Sequence, residues 1–153
     1  LDFSYLLQNR LQQALEAWLL RDELNKLLAC ESIDAEVPFM VSLSADEDEI
    51  FLEGEIDALG INLNEEAFFI DYKTGGSLLE TAEEVYQKHL LQAQCYAYAL
   101  LEEGFSRVVG TFIRVDFLAQ DSETGIDSVS YCFDKSDTSR LKKAILAAHT
   151  MCS

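Results

Sequence analysis

The sequence predicts an α/β domain in which helices flank a mixed central sheet. Three observations predict it: helical periodicity at both ends of the chain, a run of three closely spaced strand-like segments, and a long helical segment between that run and two further strands. The predicted order is helix, three-strand meander, helix, two strands, helix. With 153 residues, 49% hydrophobic and 25% charged, the chain has the size and composition of one globular domain.

The first thirty residues predict one long helix, or two short ones with a break near Arg21 and Asp22. From Asp2 to about Cys30, apolar residues recur at the spacing of one helix face. The stretch "ESIDAEVP" predicts a connector, in which Pro38 suits the start or the edge of a strand.

Three strands follow, at about 37–44, 49–59 and 67–73, separated by acidic or asparagine-rich turns. Thr81 or Ser77 predicts the start of a helix over 82–103, which Gly104 ends. The segments "RVVGTFIRVDFL" and "SVSYCFD" predict two more strands, and Ser136 or Asp137 predicts the start of the final helix.

The charge is strongly negative and uneven. The formal net charge is −17, and between Glu31 and Glu66 there are twelve acids and no lysine or arginine. Such a charge ordinarily argues against a nucleic-acid partner and describes a solvated acidic surface. Net charge nevertheless governs solubility and association rates, not the chemistry of a single cleft.

The cysteines and the hydropathy exclude several classes of protein. Cys30, Cys95, Cys132 and Cys152 are scattered, so neither a zinc ribbon nor a disulfide framework is predicted. We expect reduced, mostly buried thiols in a cytoplasmic protein. No apolar run is long enough to cross a bilayer, so no membrane partner is expected.

Two carboxylates and a lysine are candidates for a catalytic site. In "FFIDYKTGG", Asp71 and Lys73 project from one side of a strand, because side chains alternate with a period of two. Asp57 in "EGEIDAL" is predicted to share a face with Glu53 and Glu55, opposite the face of Leu52, Ile56 and Ala58. If the turn is centred near Asn64, Asp57 falls opposite Asp71, with Cβ atoms about 4.5–5.5 Å apart.

Two carboxylates at that separation repel unless a cation lies between them or one is protonated. Mg²⁺ favours one or two carboxylates with water completing its shell. Lys73 adds a positive charge that can hold a metal-bound hydroxide or stabilise a phosphoryl group. The pattern therefore predicts hydrolysis of phosphodiesters, and its alternative is a surface ion pair of Asp71 with Lys73.

The long helix carries two polar pairs at four-residue spacing. Gln92 and Tyr96 lie on one helical face, and Gln94 and Tyr98 lie on another, rotated away from the first. From spacing alone, either pair can face the site, and both also suit the rim of an amphipathic core helix.

The stretches "GEIDAL", "IDYKTGG" and "QAQCYAYAL" resemble the motifs of RecB-type nucleases within the PD-(D/E)XK superfamily. The resemblance covers about Glu36 to Leu101. It implies a restriction-endonuclease-like fold and a metal-dependent DNA nuclease. The motifs look most like the C-terminal nuclease domain of AddA- or RecB-type helicase–nuclease subunits, which process double-strand breaks.

The resemblance also implies roles for individual residues. Asp57 and Asp71 would ligate Mg²⁺ or Mn²⁺, with the backbone carbonyl of Tyr72 as a third ligand and Glu36, from the strand before, as a secondary candidate. Lys73 would activate or orient the attacking water.

Gln92 and Tyr96 would brace the site and touch the DNA backbone. The tail "YAYAL" matches the family pattern best with this pair, so we prefer it to Gln94 and Tyr98. Some relatives bind an iron–sulfur cluster, but Cys132 and Cys152 are too far apart for that pattern, so no cluster is expected.

The chain begins at Leu1, and we expect residues 1–153 to be a single nuclease domain from the C-terminal part of a larger helicase–nuclease. The implied partners are DNA, the helicase region of the parent chain and a partner subunit. Family members of this type usually take a further ligand, often a histidine, from an upstream helix. No histidine occurs in the first thirty residues, so the isolated chain is expected to bind Mn²⁺ weakly and to cut DNA poorly or not at all.

Two rival readings remain open. The first is a nuclease-derived domain that binds DNA or a partner subunit without cutting, which the acidic surface favours. The second is an unrelated acidic interaction module in which Asp71 and Lys73 form only an ion pair.

Overall fold

A computed structural model describes residues 3–118 and 126–152; for residues 3–7, 10, 11, 14, 151 and 152 it describes the backbone alone. The helices are α1 (Phe3–Leu19), α2 (Asp22–Leu28), α3 (Ala82–Glu103) and α4 (Thr138–Cys152). The strands are β1 (Ser32–Ala45), β2 (Asp48–Ile61), β3 (Glu66–Lys73), β4 (Arg107–Arg114) and β5 (Ser128–Asp134). This order confirms the predicted α/β class. Asp2, where the sequence begins the first helix, lies outside the described residues.

The five strands form one mixed sheet in the order β1-β2-β3-β4-β5. β3 and β4 run parallel, and the other neighbours are antiparallel. Parallel neighbours need a crossover, and α3 supplies it. As a result the carboxyl ends of β3 and β4 lie side by side, with Asp71 next to Phe112 and Lys73 next to Arg114.

β1 and β2 form a long hairpin that extends past the rest of the sheet. β1 pairs with β2 from Ser32 to Ala45, whereas β2 pairs with β3 only from Ala58 to Ile61. The predicted connector over 31–38 is therefore wrong, because pairing with β2 extends the strand back to Ser32. Pro38 is tolerated within β1 because β1 is the edge strand of the sheet.

The alternation of side chains in β2 reverses at Asp57. Leu52 and Ile56 pack in the core beneath α3, whereas Ala58 packs in a second core on the other face of the sheet. The prediction of one uninterrupted face from Leu52 to Ala58 is therefore wrong. Opposite Asp57 in the register of β1 lies Glu36, whose φ of 53° is in the left-handed region that non-glycine residues seldom adopt. Asp57 thus lies at the phase change of the hairpin, where the side chains of β2 exchange the faces to which they point.

The sheet is covered on both faces, which buries β3. The main core lies between the sheet and the helices α3 and α4, and a smaller one lies towards α2 and the end of α1. Phe69 and Ile70 of β3 are both fully buried, one in each core. This double burial explains the nearly continuous apolar run before Asp71.

Local signals account for the boundaries of α3. Thr81 accepts a hydrogen bond from the Glu84 N–H, and Glu84 reaches back to the Thr81 N–H, which forms a capping box. Gly104, with φ of 117°, ends the helix. Thr81, not Ser77, is therefore the cap.

Of the two alternatives for the first thirty residues, the pair of helices is confirmed, with its break at Leu20 and Arg21. Two other predictions need adjustment. A 3-10 turn over Lys135–Asp137, capped by Asp134, precedes α4, so that helix begins at Thr138.

Among the described thiols, Cys30 and Cys95 are half-buried and Cys132 is exposed, so the expectation of mostly buried thiols is wrong. No helix within the described ranges is long and apolar enough to cross a membrane.

Candidate active site

Asp71 and Lys73 lie together at the carboxyl end of β3. The Asp71 residue is only 3% exposed, and its Oδ2 atom lies 2.9 Å from Lys73 Nζ. This contact is an ion pair without hydrogen-bond geometry: Oδ2 has no hydrogen-bond donor in the described part of the chain. A buried carboxylate oxygen without a donor is costly, so its retention needs a reason beyond packing.

Asp57 approaches Asp71 where β2 and β3 separate. Their pairing ends at Ala58 and Ile70, and the next position in the same register sets Asp57 against Asp71. There the side chain of Asp57 replaces a backbone partner: its Oδ2 accepts a hydrogen bond of 2.8 Å from the Tyr72 N–H. The separation of the two strands creates room at the sheet end for polar side chains.

Tyr96 of α3 closes the site from above the sheet. Its hydroxyl lies 3.3 Å from Asp71 Oδ1 and 3.0 Å from the Glu55 carbonyl oxygen, while Gln92 Nε2 donates to it at 2.7 Å. A tyrosine hydroxyl carries one proton, so the carboxylate and the carbonyl compete for it. Gln94 and Tyr98 are also buried on α3, but they take no part in this network within the described residues.

The pKa values of Asp71 and Tyr96, which share a hydrogen bond, are both raised. Burial raises the pKa of Asp71, and the nearby Asp57 carboxylate raises it further, against the opposing effect of Lys73. Burial also raises the pKa of Tyr96 to about 12, assisted by the negative charge of Asp71. Tyr96 is therefore a hydrogen-bond donor at neutral pH and not a phenolate base.

His89 is a residue near the site that sequence reasoning did not assign to it. Its ring stacks on Phe112, with centroids 5.3 Å apart and an interplanar angle of 5°, and Lys73 Nζ lies 5.5 Å from the centroid of the same Phe112 ring. Burial lowers the pKa of His89, and the positive charge of Lys73 lowers it further. The available signal was its spacing, since His89 precedes Gln92 by three residues and Tyr96 by seven, on one helical face.

Arg114 was also missed, because in the sequence it resembled any basic residue at a strand end. It is 3% exposed and donates to the carbonyls of Ile126 (2.7 Å) and Ser77 (2.8 Å) and to Glu80 Oε1 (2.9 Å). Hydrogen bonding from the Ser77 N–H lowers the pKa of Glu80, which keeps it ionised beside Arg114. Arg114 thereby fixes the segment that follows Lys73 at the mouth of the site.

The remaining predicted ligands lie at the margin. Glu36 is exposed at the phase change of the hairpin, opposite Asp57 in register. The Tyr72 side chain points to the other face of the sheet, where its ring packs edge-on against Trp18 at 5.6 Å. In residues 3–118 and 126–152, no group of three or more His, Cys, Asp or Glu side chains is arranged to hold a metal ion. The structure thus brings together Asp57, Asp71 and Lys73, without a third acid.

Two carboxylates, one with a buried oxygen that lacks a donor, fit a hard divalent cation whose remaining ligands are water. The fold and this cluster define a class of α/β domain with an acid–acid–lysine site where two adjacent strands separate.

The chain belongs to the PD-(D/E)XK nuclease superfamily, whose profile matches residues 3–145. Members of this superfamily generally use divalent metals such as Mg²⁺. A search of curated proteins finds no match.

Solved structures resemble the chain only distantly. The crystal structure of SSO0001 has a TM-score of 0.45 at 18% identity, over 96% of this chain and 62% of that one. Rai1 of Scheffersomyces stipitis, in complex with (3'-NADP)+ and calcium ion, has a TM-score of 0.31 at 16% identity, over 69% of this chain and 27% of that one. The chain thus spans less than two thirds of the length of either structure. With TM-scores below 0.5, these similarities carry no argument about this chain.

Proposed function

We propose that this chain is the nuclease domain of an ATP-dependent helicase–nuclease of the AddA or RecB type, which cuts DNA exonucleolytically during double-strand-break repair in the cytoplasm. The observation that supports a cutting role is the placement of Asp71 and Lys73 at the end of β3, beside Asp57 at the point where β2 separates from β3. A purely structural domain has no need of a buried, incompletely bonded carboxylate beside a second acid. The RecB-type motifs support the choice of DNA and of a motor as partner.

The residues have separate tasks in this proposal. Asp57 and Asp71 would hold Mg²⁺ or Mn²⁺, with the Tyr72 carbonyl as a further ligand and Glu36 as a secondary candidate. When bound, the cation would supply Lewis-acid activation of a phosphodiester and of water.

Lys73 places a positive charge beside Asp71, where it orients the attacking water and stabilises negative charge on the phosphoryl oxygens. Tyr96 donates towards Asp71, and Gln92 holds the Tyr96 hydroxyl in place. These contacts keep the Asp71 carboxylate in one orientation, as efficient catalysis requires.

The test uses the full-length protein and linear duplex DNA. Lys73→Ala is expected to abolish cleavage in a protein that still folds, because the ammonium acts on the transition state. Lys143→Ala, on the exposed side of α4, is the matched control and should cut normally. Cleavage by Lys73→Ala at the wild-type rate would contradict the proposed role.

Metal binding is tested on the isolated chain. Millimolar Mn²⁺ should raise its melting temperature, because a ligand that binds only the folded state stabilises it. The rise should vanish in Asp57→Ala and in Asp71→Ala. A rise that survives both substitutions would place the metal elsewhere.

The acidic surface favours a second candidate, a nuclease-derived domain that binds DNA or a partner subunit without cutting. The two candidates separate in the same experiment. A domain that only binds would show no cleavage in the full-length wild type at any Mg²⁺ or Mn²⁺ concentration.

A further inference from the structure

One face of the β1–β2 hairpin carries exposed apolar and acidic side chains together. Alternate residues of the two strands turn inward and pack in the main core, among them Val37, Phe39, Val41 and Ile56. The opposite side chains are all exposed, and we call them the hairpin face: Pro38, Met40 and Ser42 of β1 with Phe51, Glu53 and Glu55 of β2. The pairs across the face are Pro38 with Glu55, Met40 with Glu53, and Ser42 with Phe51.

Two large apolar side chains lie at the centre of the hairpin face. Met40 is 68% exposed and Phe51 is 62% exposed. In this register they are diagonal neighbours, within reach of each other across the two strands. Pro38 extends the apolar strip along β1. Apolar side chains grouped inside a polar rim are typical of protein interaction sites.

The charge of the rim selects the occupant. Glu53 and Glu55 border the strip, Glu49 lies on the same side of β2, and residues 31–66 contain no lysine or arginine. DNA and a second copy of this chain, with its net charge of −17, would both be repelled. A basic polypeptide segment with apolar residues complements both features.

The β1 edge is poorly suited to the addition of a further strand. β1 is the edge of the sheet, but Pro38 has no N–H to offer and Glu36 has a left-handed backbone. An incoming segment would therefore meet side chains on the hairpin face more readily than backbone groups along the edge.

We propose that the hairpin face is a docking surface for a basic, apolar-containing segment of a partner protein. The surface lies near the candidate active site, since Glu53 and Glu55 immediately precede Asp57 in β2, but its side chains face away from α3 and Tyr96. A cationic segment placed here reduces the negative charge that DNA meets beside the site. The docking itself does not depend on nuclease activity.

The probe is a short fluorescent peptide in which lysine and leucine alternate, with binding followed by anisotropy. Two control peptides replace its leucines by serine or its lysines by glutamate. We expect the lysine–leucine peptide to bind the wild-type chain about tenfold more tightly than either control, because it uses both the apolar strip and the acidic rim. Equal binding of the lysine–leucine and lysine–serine peptides would reduce the surface to nonspecific charge and overturn the proposal.

Paired variants locate the binding site. Met40→Ser with Phe51→Ser, and separately Glu53→Gln with Glu55→Gln, should each weaken binding about fivefold or more. Leu79→Ser, at a 90% exposed leucine outside the hairpin face, and Glu83→Gln with Glu102→Gln on α3 are the controls and should not change it. All these positions are exposed, so unchanged melting temperatures are expected. Equal effects of the hairpin and control variants would overturn the proposal.

Two other occupants are tested directly. Sedimentation that shows a wild-type dimer and a monomeric Met40→Ser/Phe51→Ser variant would assign the face to a second copy of the chain. Competition between duplex DNA and the peptide for this face would assign it to nucleic acid. Either result would contradict a basic polypeptide as the occupant.

Discussion

At the scale of single residues, the candidate site lowers the free energy of unfolding, because it contains a buried carboxylate. Asp71 is a carboxylate of raised pKa in a nearly closed environment, with one oxygen that lacks a hydrogen-bond donor in the described residues. Removing such a group from water is unfavourable unless a partner compensates for it. Lys73 compensates in part, and its own side chain is 28% exposed, so it remains accessible to a substrate.

The hydroxyl of Tyr96 should matter more for activity than that of Tyr98. Tyr96→Phe removes only the oxygen that contacts Asp71 and the Glu55 carbonyl. We expect kcat on linear DNA to fall by about ten- to a hundredfold, because a hydrogen bond to a charged group contributes about 1.5–3 kcal/mol. Single-turnover cleavage by the full-length variants would measure this.

Tyr98→Phe is the matched control, since it removes the same atom from a second buried tyrosine of α3. Its cleavage rate should stay within about twofold of the wild type, since no contact to the site acids is lost. A larger loss in Tyr98→Phe than in Tyr96→Phe would show that the other face of α3 serves the site.

At the scale of elements, the segment between β3 and α3 is held from β4. Arg114 and Glu80 fix its carbonyl and amide groups, and the Gly75 N–H donates to Asp116 Oδ2 at 2.6 Å. Gly75 and Gly76 have φ values of 80° and 88°, which favour glycine. The two glycines differ in how closely other atoms surround them, so alanine substitutions can test whether Arg114 fixes this segment.

Gly76→Ala should destabilise the fold more than Gly75→Ala. Both changes place alanine in a left-handed conformation, which costs about 1–2 kcal/mol. A Cβ at Gly76 would also lie 2.7 Å from Glu80 Oε1 and 2.8 Å from Arg114 Nη2, whereas at Gly75 it meets nothing within 4 Å. We expect about 1 kcal/mol of additional destabilisation from this crowding, because Arg114 is held by three hydrogen bonds.

Urea unfolding of the two variants measures the difference, and each serves as the control of the other. Equal free energies of unfolding would mean that the guanidinium moves aside freely. Arg114 would then not be what fixes the segment after Lys73.

At the scale of the whole molecule, the net charge opposes the proposed substrate. A chain of −17 repels DNA over about a Debye length, which falls from ~30 Å at 0.01 M salt to ~8 Å at 0.15 M. The basic groups near the site, Lys73, Lys88 and Arg114, act only locally. A motor that delivers DNA to the site would remove the need for strong binding by this domain.

The isolated chain should therefore bind duplex DNA more tightly as the KCl concentration rises from about 0.01 to about 0.15 M at fixed Mg²⁺, because salt screens the repulsion between them. Proteins that bind DNA through basic surfaces show the opposite trend, because salt competes with their phosphate contacts. Fluorescence anisotropy would measure the dissociation constant. Replacing the exposed acids Glu47, Glu102 and Glu103 by glutamine should reduce this dependence of affinity on salt. A steep loss of affinity with rising salt in the wild type would contradict the prediction.

Much of the fold could be predicted because its signals are local. The α3 boundaries follow from Thr81, Glu84 and Gly104, which act within a single turn of the helix. The start of β1 could not be predicted in this way, since residues 32–35 have little strand character. Their extended conformation depends on pairing with residues of β2 that are distant in sequence.

The sequence by itself determined the identity and spacing of the chemical groups: two acids and a lysine on successive strands, and glutamine–tyrosine pairs on the following helix. These follow from the periods of strands and helices, which are properties of the local backbone. Only the tertiary structure decided how the groups meet. The phase reversal at Asp57, the separation of β2 from β3, the contact of Tyr96 with Asp71, and the burial of Arg114 all arise from packing between distant segments. No local propensity encodes these features, because each depends on where α3 and β4 lie against the sheet.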